Sequence, residues 1–587
     1  MGEMVQDQRP SWEVVAKEHA TKQLNNIPAE WRLPQDQLDR LSGAGTADEG
    51  RLIQLQAAKQ SGLLSERELD ITENHTARDL LPKLAAGALT SVEVTTAFCK
   101  RVALAQQLTS CLTEIFFNEA IESAKEADQY LEKNGEVRGP LHGLPISMKD
   151  SFVVKGHYAS VGYVEYLRQP IPEGESALVK LLQDAGGDPV LQDQHSTDND
   201  GKLNLCKATR SSCVADTGML QTADSENNIF GRTLNPHNTK LNAGGSTGGE
   251  GALLAFRGSP LGVGTDIAGS IRIPSVCCGI YGFKPTADRV PFGGQNSCPF
   301  PRNYLPGIVP AAGPMANTLA DLRLFMDIVH GQNRWKYDGT VIDIPWRSLD
   351  QKAQGNGSGK LVIGIAPEDE EFQLHPPVKR TIDEAAKKLE AAGHTIVRLP
   401  ADPSRSMALG GRLAFSFYGL EGHPTNEEME AEFGESLVKS LAVGVHPFAQ
   451  IPPPLSPEWS EAKKVAEWHR LRGGYCDGWR RAWLEHGLDV VLAPGAISTA
   501  VKHDAFGVPV YTAAWNVTDY PACIIPYGSS SKALDPNPMK GHAAFDADYD
   551  PDLLDGAPCA VQVITPTFKD EECLHAASII DAVLNGA

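Results

Sequence analysis

Two serines and a lysine lie in stretches whose composition suits nucleophilic catalysis. Ser270 follows Ile267, Ala268 and Gly269 in "GVGTDIAGSIRIPS", a glycine-rich stretch that separates two apolar runs. Glycine lets a backbone approach a ligand closely, so the N–H groups of residues 267–270 can bind the oxyanion that forms when a carbonyl is attacked. The pattern predicts an oxyanion hole beside a serine nucleophile. A tight turn that holds an ordinary buried serine is the alternative.

Ser246 is the second candidate nucleophile. In "AGGSTGGEGALLAF" the run from Gly244 to Gly248 matches G-x-S-x-G, the nucleophile elbow of α/β hydrolases. An elbow follows a strand, whereas the polar segment "NPHNTKLN" precedes this one. Thr247 and Glu250 have capping-box spacing, which predicts a helix start and leaves the Ser246 hydroxyl available. An esterase that uses Ser246 is therefore the rival enzyme, although no later histidine has a convincing context.

Lys149 ends the apolar run of "HGLPISMKD". Desolvation lowers the pKa of a lysine, and a neutral lysine can act as a general base. A lysine whose amine reaches solvent is the alternative. Asp266 and Arg272 flank the Ser270 turn, and we expect them to form a structural ion pair. The sixteen histidines are dispersed, and no metal or phosphate-loop motif is present, so we expect no metal and no cofactor.

The elements that must position these residues read as an α/β fold. "GKLVIGIAPED", "VKRTIDEAAKKLEAAG" and "HTIVRLP" predict a strand, a helix and a strand, and "GLDVVLAPG" predicts another strand after a helix that ends near His486. Such alternation favours a sheet covered by helices on both faces. Residues 1–75 read as an N-terminal helical arm interrupted by Pro28 and Pro34, and residues 76–587 as the catalytic domain. The best linker candidate is 351–360.

Composition limits the classes of partner. The chain has 587 residues and a formal net charge of −21, which disfavours nucleic acid. No apolar run is long enough for a membrane span, and the start "MGEMVQDQRP" lacks the pattern of a signal peptide. Eleven scattered cysteines without C-x-x-C fit reduced thiols. We therefore expect a cytoplasmic protein, and a homodimer is compatible with these features.

Taken together, "GLPISMKD", "GGSTGGEGALLAFRGSPLGVGTDIAGSIRIPS" and "GIYGFKPT" resemble the amidase signature family in order, spacing and residue type. The later "DVVLAPG" and "WNVTDYPACIIPYG" extend the resemblance, which covers about residues 60–587. The "GGEGALLAF" form is similar to the branch of fungal acetamidases and fatty acid amide hydrolase. The resemblance implies a single α/β domain with a large mixed central sheet. It also implies hydrolysis of small-molecule amides to acid plus ammonia or amine.

Carried over by position, the resemblance gives each residue a role. Ser270 becomes the nucleophile that forms the acyl-enzyme, and Ser246 links it to the base Lys149. The family also implies a cis peptide between Gly245 and Ser246. Residues expected to bind the substrate or its oxyanion are Thr265, Ile267, Ala268, Gly269, Met219 and Leu220.

One segment departs from the family pattern. Residues 188–202, "DPVLQDQHSTDNDGK", have no recognised counterpart, and "RSSCVADTG" replaces a turn that bears proline in relatives, whereas "LNLCKAT" resembles the expected strand. Either 188–217 includes a polar surface loop or it contains a translated intron, and the abrupt change in composition favours the intron. We expect this chain to fold but to hydrolyse amides poorly. Two further hypotheses are an inactive scaffold and a subunit of an amidotransferase.

Overall fold

The computed structural model describes residues 10–186, 206–208, 223–296, 307–347, 359–418, 458–541 and 546–586, and the short pieces 349, 430–431, 434–436, 438 and 455–456. The α-helices in these ranges are α1 Trp12–Asn25, α2 Gln35–Leu41, α3 Ala57–Gln60, α4 Glu66–Asn74, α5 Ala77–Ala85, α6 Ser91–Thr109, α7 Phe117–Asn134, α8 Ala177–Gly186, α9 Gly248–Ala255, α10 Arg272–Cys278, α11 Leu319–Gly331, α12 Pro376–Ala391, α13 Met407–Tyr418, α14 Glu461–His486, α15 Val510–Val517 and α16 Asp570–Asn585.

The strands in the same ranges are β1 Leu112–Ile115, β2 Ser147–Lys149, β3 Cys206–Ala208, β4 Glu226–Asn227, β5 Gly231–Arg232, β6 Gly262–Asp266, β7 Tyr281–Lys284, β8 Ala311–Ala316, β9 Val362–Ile365, β10 Thr395–Arg398, β11 Val490–Pro494, β12 Ala522–Ser529 and β13 Pro558–Ile564. The predicted strand, helix and strand that precede residue 400 are confirmed as β9, α12 and β10. The helix predicted to end near His486 is α14, and β11 follows it.

Eleven strands form one sheet in the order β1-β3-β2-β6-β8-β7-β12-β13-β11-β9-β10. The neighbours within β3-β2-β6 and within β11-β9-β10 run parallel, and the other neighbours run antiparallel. The sheet is therefore mixed, as expected. β4 and β5 form a separate two-stranded ribbon.

Both faces of the central sheet are covered. Along β11, Val490 and Leu492 belong to one apolar cluster, whereas Val491 and Ala493 belong to another. Successive side chains of a strand point to opposite faces, so the two clusters lie on opposite sides of the sheet. This arrangement confirms a layered α/β fold with helices on both faces.

The N-terminal residues are helical and pack onto the rest of the chain. Helices α1 to α4 fall within the first 75 residues, and Trp31 and Leu41 belong to the same apolar cluster as Leu492 of β11. Helix α1 also covers the sheet edge at β1, where Ile115 N–H donates to Gln23 Oε1 at 2.8 Å and Asn26 Nδ2 donates to the Ile115 carbonyl at 2.8 Å. A boundary at residue 75 stays a prediction. Most of the linker candidate 351–360 lies outside the described residues.

None of the helices in the described ranges combines the length and apolar composition that a membrane crossing requires.

Candidate active site

Lys149 is the last residue of β2 and is almost completely buried, at 1% exposure. Its Nζ donates to the hydroxyl of Ser246 at 2.8 Å and to the hydroxyl of Thr265 at 2.7 Å. Thr265 lies on β6, the parallel neighbour of β2, so the strand pairing places the two side chains together. Burial disfavours the charged form of an amine, which is the environment expected for the general base predicted at this position.

Ser246 lies in the loop that precedes α9, and the peptide between Gly245 and Ser246 is cis, as the resemblance implied. The Ser225 hydroxyl fixes this loop, because it donates to the Gly244 carbonyl at 2.9 Å and accepts from Gly248 N–H at 3.0 Å. No strand leads into Ser246 from residues 243–245, so the context of a nucleophile elbow is absent at this position. The hydrogen-bond partner of the Ser246 hydroxyl is Lys149 of β2.

The predicted capping box at Thr247 and Glu250 is wrong. Helix α9 does begin at Gly248, but Thr247 has φ −95° and ψ 36° and makes no side-chain cap. Its hydroxyl lies 3.4 Å from the Thr265 carbonyl, whereas Glu250 accepts a hydrogen bond from the Ser147 hydroxyl at 2.6 Å. Hydrogen bonds from Thr247 to β6 and from β2 to Glu250 therefore take the place of the expected capping box.

Ser270 is brought next to Ser246 by the backbone. Thr247 N–H donates to the Ser270 carbonyl at 3.2 Å, which joins the residue after Ser246 to the turn after β6. Ser270 is half-buried, whereas Ser246 and Lys149 are buried. The three predicted catalytic residues therefore run from the interior at Lys149 towards the accessible Ser270.

The turn before Ser270 requires glycine. Gly269 has φ +127°, and a Cβ there would come within 2.3 Å of the Thr512 hydroxyl. That hydroxyl donates to the Ala268 carbonyl at 2.7 Å, and the Tyr418 hydroxyl donates to the Ile267 carbonyl at 2.5 Å. In a trans peptide the C=O and N–H point in opposite directions, so the bond from Tyr418 also fixes the direction of the Ala268 N–H.

Asp266 organises the same turn from below. Its carboxylate accepts from Gly269 N–H at 2.9 Å and Ile271 N–H at 3.2 Å, and it pairs with Arg272 at 2.9 Å. Burial opposes ionisation of this carboxyl, but the Arg272 guanidinium outweighs it and lowers the pKa of Asp266 to about 2. The predicted ion pair is confirmed, and both side chains are fully buried.

Arg272 is held by further partners that the sequence did not indicate. Its guanidinium donates to the Thr512 carbonyl at 3.0 Å, to Gln562 Oε1 at 2.9 Å and to Asn516 Oδ1 at 2.6 Å. These residues come from α15 and β13, far along the chain, and no local pattern links them to Ser270. The ion pair thus anchors the turn to the centre of the sheet.

Thr265 is one of the residues predicted to bind substrate, and its hydroxyl accepts a hydrogen bond from Lys149 Nζ. A contact between Thr265 and the substrate stays a prediction. Met219 and Leu220 lie outside the described residues. So does the atypical segment 188–217, except for residues 206–208, which form β3 between β1 and β2 and confirm the strand expected in "LNLCKAT". Within the described ranges, no group of three or more His, Cys, Asp or Glu side chains could hold a metal ion.

Comparisons with known proteins show the family to which the chain belongs. The profile of the family described as Amidase matches residues 93–195 and 215–574, so residues 196–214 of the atypical segment fall outside the match. An amidase of Gibberella moniliformis is 36% identical over 97% of this chain and 98% of its own length. An acetamidase of Emericella nidulans is 35% identical over 98% of each chain.

A solved structure of fatty acid amide hydrolase has a TM-score of 0.81 and 26% identity, and the match covers 98% of this chain and 95% of that one. The family profile covers most of the chain, and the two fungal relatives match it over nearly their full length. The chain therefore belongs to the amidase signature family, in its fungal amidase and acetamidase branch, and is an amide hydrolase.

Proposed function

We propose that the chain hydrolyses linear carboxylic amides through a Ser-Ser-Lys triad and an acyl-enzyme. The observation that carries this proposal is the contact of Lys149 Nζ with Ser246 Oγ at 2.8 Å. The next residue, Thr247, donates its N–H to the Ser270 carbonyl, so Ser270 lies beside this contact. The buried amine of Lys149 contacts the hydroxyl of Ser246, and the more accessible Ser270 is adjacent. This arrangement suits a relay that removes the proton from an attacking Ser270 hydroxyl.

In the proposed first step, Ser270 Oγ attacks the amide carbon. The proton of Ser270 passes to Ser246, and the proton of Ser246 passes to neutral Lys149. Backbone N–H groups of the Ser270 turn bind the oxyanion, with the Ala268 N–H oriented by Tyr418. Because Gly269 N–H already donates to Asp266, we assign the main contribution to Ile267, Ala268 and Ser270.

The same relay then runs in reverse. Lys149 returns a proton through Ser246 to the nitrogen of the leaving group, and the C–N bond breaks to release ammonia or an amine. Water next attacks the ester of Ser270 and gives its proton to the relay, which releases the carboxylic acid and restores the Ser270 hydroxyl. The residues named here balance the reaction without a cofactor.

The proposal also includes a substrate class and a cellular compartment. Because two of the relatives are acetamidases, we place acetamide first among the substrates, followed by a long-chain fatty amide and an aryl amide. The eight cysteines whose side chains the structure describes all carry free thiols, which supports a reducing, cytoplasmic location.

Ammonia or amine release from the three amides, followed by intact-protein mass spectrometry of the quenched reaction, tests the proposal. We expect turnover of at least one amide and an intact mass increased by its acyl group. Peptide mass spectrometry after digestion should place that acyl group on the peptide that contains Ser270. Hydrolysis of esters alone, with the acyl group on Ser246, would favour the rival esterase.

A further inference from the structure

Glu250 is a buried acidic residue that the proposed relay does not use. It lies in the first turn of α9, is fully buried, and accepts from the Ser147 hydroxyl at 2.6 Å. Among the described residues its other oxygen, Oε1, has no hydrogen-bond partner. A buried carboxylate with an unsatisfied oxygen is costly, so this environment favours the uncharged acid. Burial raises the pKa of Glu250 to about 8, against the smaller opposing effect of the Ser147 hydrogen bond.

Ser147 and Lys149 are linked by position. Both lie on β2 with only Met148 between them, and alternate residues of a strand point to the same face. Lys149 contacts Ser246, just before α9, and Ser147 contacts Glu250, within α9. Two contacts therefore join the same strand to the same helix start, and one of them is the contact between base and relay serine.

The space for the Glu250 carboxyl is provided by a glycine on the next strand. Gly262 of β6 pairs with Ser147 of β2, and a Cβ at Gly262 would lie 2.4 Å from Glu250 Oε2. The same β6 carries Thr265, which accepts the second hydrogen bond of Lys149. The carboxyl thus lies where β2, β6 and α9 meet, and its loss would affect the spacing of all three.

We propose that Glu250 is a positioning residue for hydrolysis: through its hydrogen bond with Ser147 it holds β2 against α9 and so sets the distance between Lys149 and Ser246. This inference rests on the proposed Ser-Ser-Lys function. A displacement of about 1 Å in a catalytic arrangement costs on the order of a hundredfold in rate. Glu250 is not a proton donor or acceptor in the reaction.

Four single variants and the double variant Glu250→Met with Ser147→Ala test the proposal in the full-length chain. Glu250→Met removes the hydrogen bond at similar volume, Glu250→Gln keeps it, and Ser147→Ala removes its partner. Ser259→Ala is the matched control, because it deletes a buried serine hydroxyl that donates to the Leu261 carbonyl, which also accepts from the Ser147 N–H, and it keeps the hydroxyl of Ser147 and the carboxyl of Glu250. We measure kcat and KM for amide hydrolysis, the rate of fluorophosphonate labelling and the thermal midpoint.

We expect Glu250→Met and Ser147→Ala each to lower kcat and the labelling rate by 10- to 100-fold, with KM changed less than threefold. The double variant should be no worse than the poorer single variant, because both break one contact. Glu250→Gln should stay within about threefold of the wild type, as should Ser259→Ala. If Glu250→Met unfolds, Ser147→Ala still provides the test.

Two results would overturn the inference. One is a folded Ser147→Ala variant with wild-type kcat. The other is a folded Glu250→Gln variant as impaired as Glu250→Met, which would show that the acid and not its hydrogen bond is required. Failure of the wild type to hydrolyse any amide would instead contradict the proposed function, so the two failures are distinguishable.

Discussion

The amine of Lys149 lies 2.8 Å from the hydroxyl of Ser246, although one residue ends β2 and the other lies in the loop before α9. The amine is also held by Thr265, so its position is fixed from two elements. Lys149 is almost completely buried, and burial disfavours the charged form of an amine, which suits the role of a neutral base that we propose for it.

The first prediction concerns this amine. Lys149→Arg should lose activity as severely as Lys149→Met, because a guanidinium cannot give up its proton at accessible pH. In the wild type, kcat/KM should rise with pH as the lysine becomes neutral, and both variants should lack that rise. The pH–rate profiles check this, and an active Lys149→Arg enzyme would exclude Lys149 as the base.

The second prediction concerns the ion pair below the Ser270 turn. Arg272→Met should leave the Asp266 carboxylate buried without its cation and destabilise the fold by about 3–5 kcal/mol. Urea unfolding measures the loss. Arg272→Met with Asp266→Asn removes both charges and should recover part of the stability but little activity, because the N–H groups that bond to Asp266 lose a charged acceptor. Wild-type stability in Arg272→Met would contradict the ion-pair assignment.

The ion pair was predicted from the sequence and is confirmed, and Lys149, Ser246 and Ser270 were predicted as a group that the structure brings together, but their surroundings were not predicted. The pair of Thr247 and Glu250 has the spacing of a local cap, yet both side chains turn to neighbouring strands. Spacing describes only what a segment can do alone, whereas Ser147 and Thr265 reach α9 through the parallel pairing of β2 with β6. The periodicity of one segment does not predict which residues of two strands will pair across the sheet.

Local sequence patterns also could not predict the hydrogen bonds that hold the Arg272 guanidinium. The sequence places Asp266 close enough to Arg272 for an ion pair, and that contact forms. The carbonyl of Thr512 and the side chains of Asn516 and Gln562 are brought to the same guanidinium by tertiary packing alone. By contrast, β9, α12, β10 and β11 were predictable because each carries its own periodic apolar pattern.

The third prediction concerns the pH dependence of stability. The pKa of Glu250 is raised from its ordinary 4.5 to about 8, so the folded state binds a proton that the unfolded state has lost. Its contribution to stability is fully present below pH 4.5 and declines as pH rises through about 8. Glu250→Gln cannot ionise, so its stability relative to the wild type should increase over that range.

Chemical unfolding of both proteins at pH 4, 6 and 9 checks this. The charge of Glu250 also acts on Cys111, whose pKa is raised to about 12, mainly by burial and to a smaller extent by Glu250, so this thiol stays protonated over the tested range. A difference between the two proteins that does not change from pH 4 to pH 9 would show that Glu250 is not held as the acid.

The fourth prediction concerns the atypical segment. Lengthening a loop costs little closure entropy, about 0.6 kcal/mol for each doubling, so the chain should fold with residues 188–217 in place. A version with this segment replaced by a short "VLYVKTNVPQT" sequence should label faster with a fluorophosphonate and hydrolyse amides better. Equal labelling and equal rates in both versions would show that the segment is harmless, and transcript sequencing would show whether it is translated.

The identity of the nucleophile is the central claim, and fluorophosphonate labelling of single-serine variants tests it most directly. Ser270→Ala should lose labelling and lower amide turnover by several orders of magnitude. Ser246→Ala should label slowly but still on Ser270. Ser275→Ala, which removes a nearby hydroxyl that donates to the Ile271 carbonyl, should behave as the wild type. Wild-type hydrolysis by Ser270→Ala, together with loss of labelling in Ser246→Ala, would contradict the assignment.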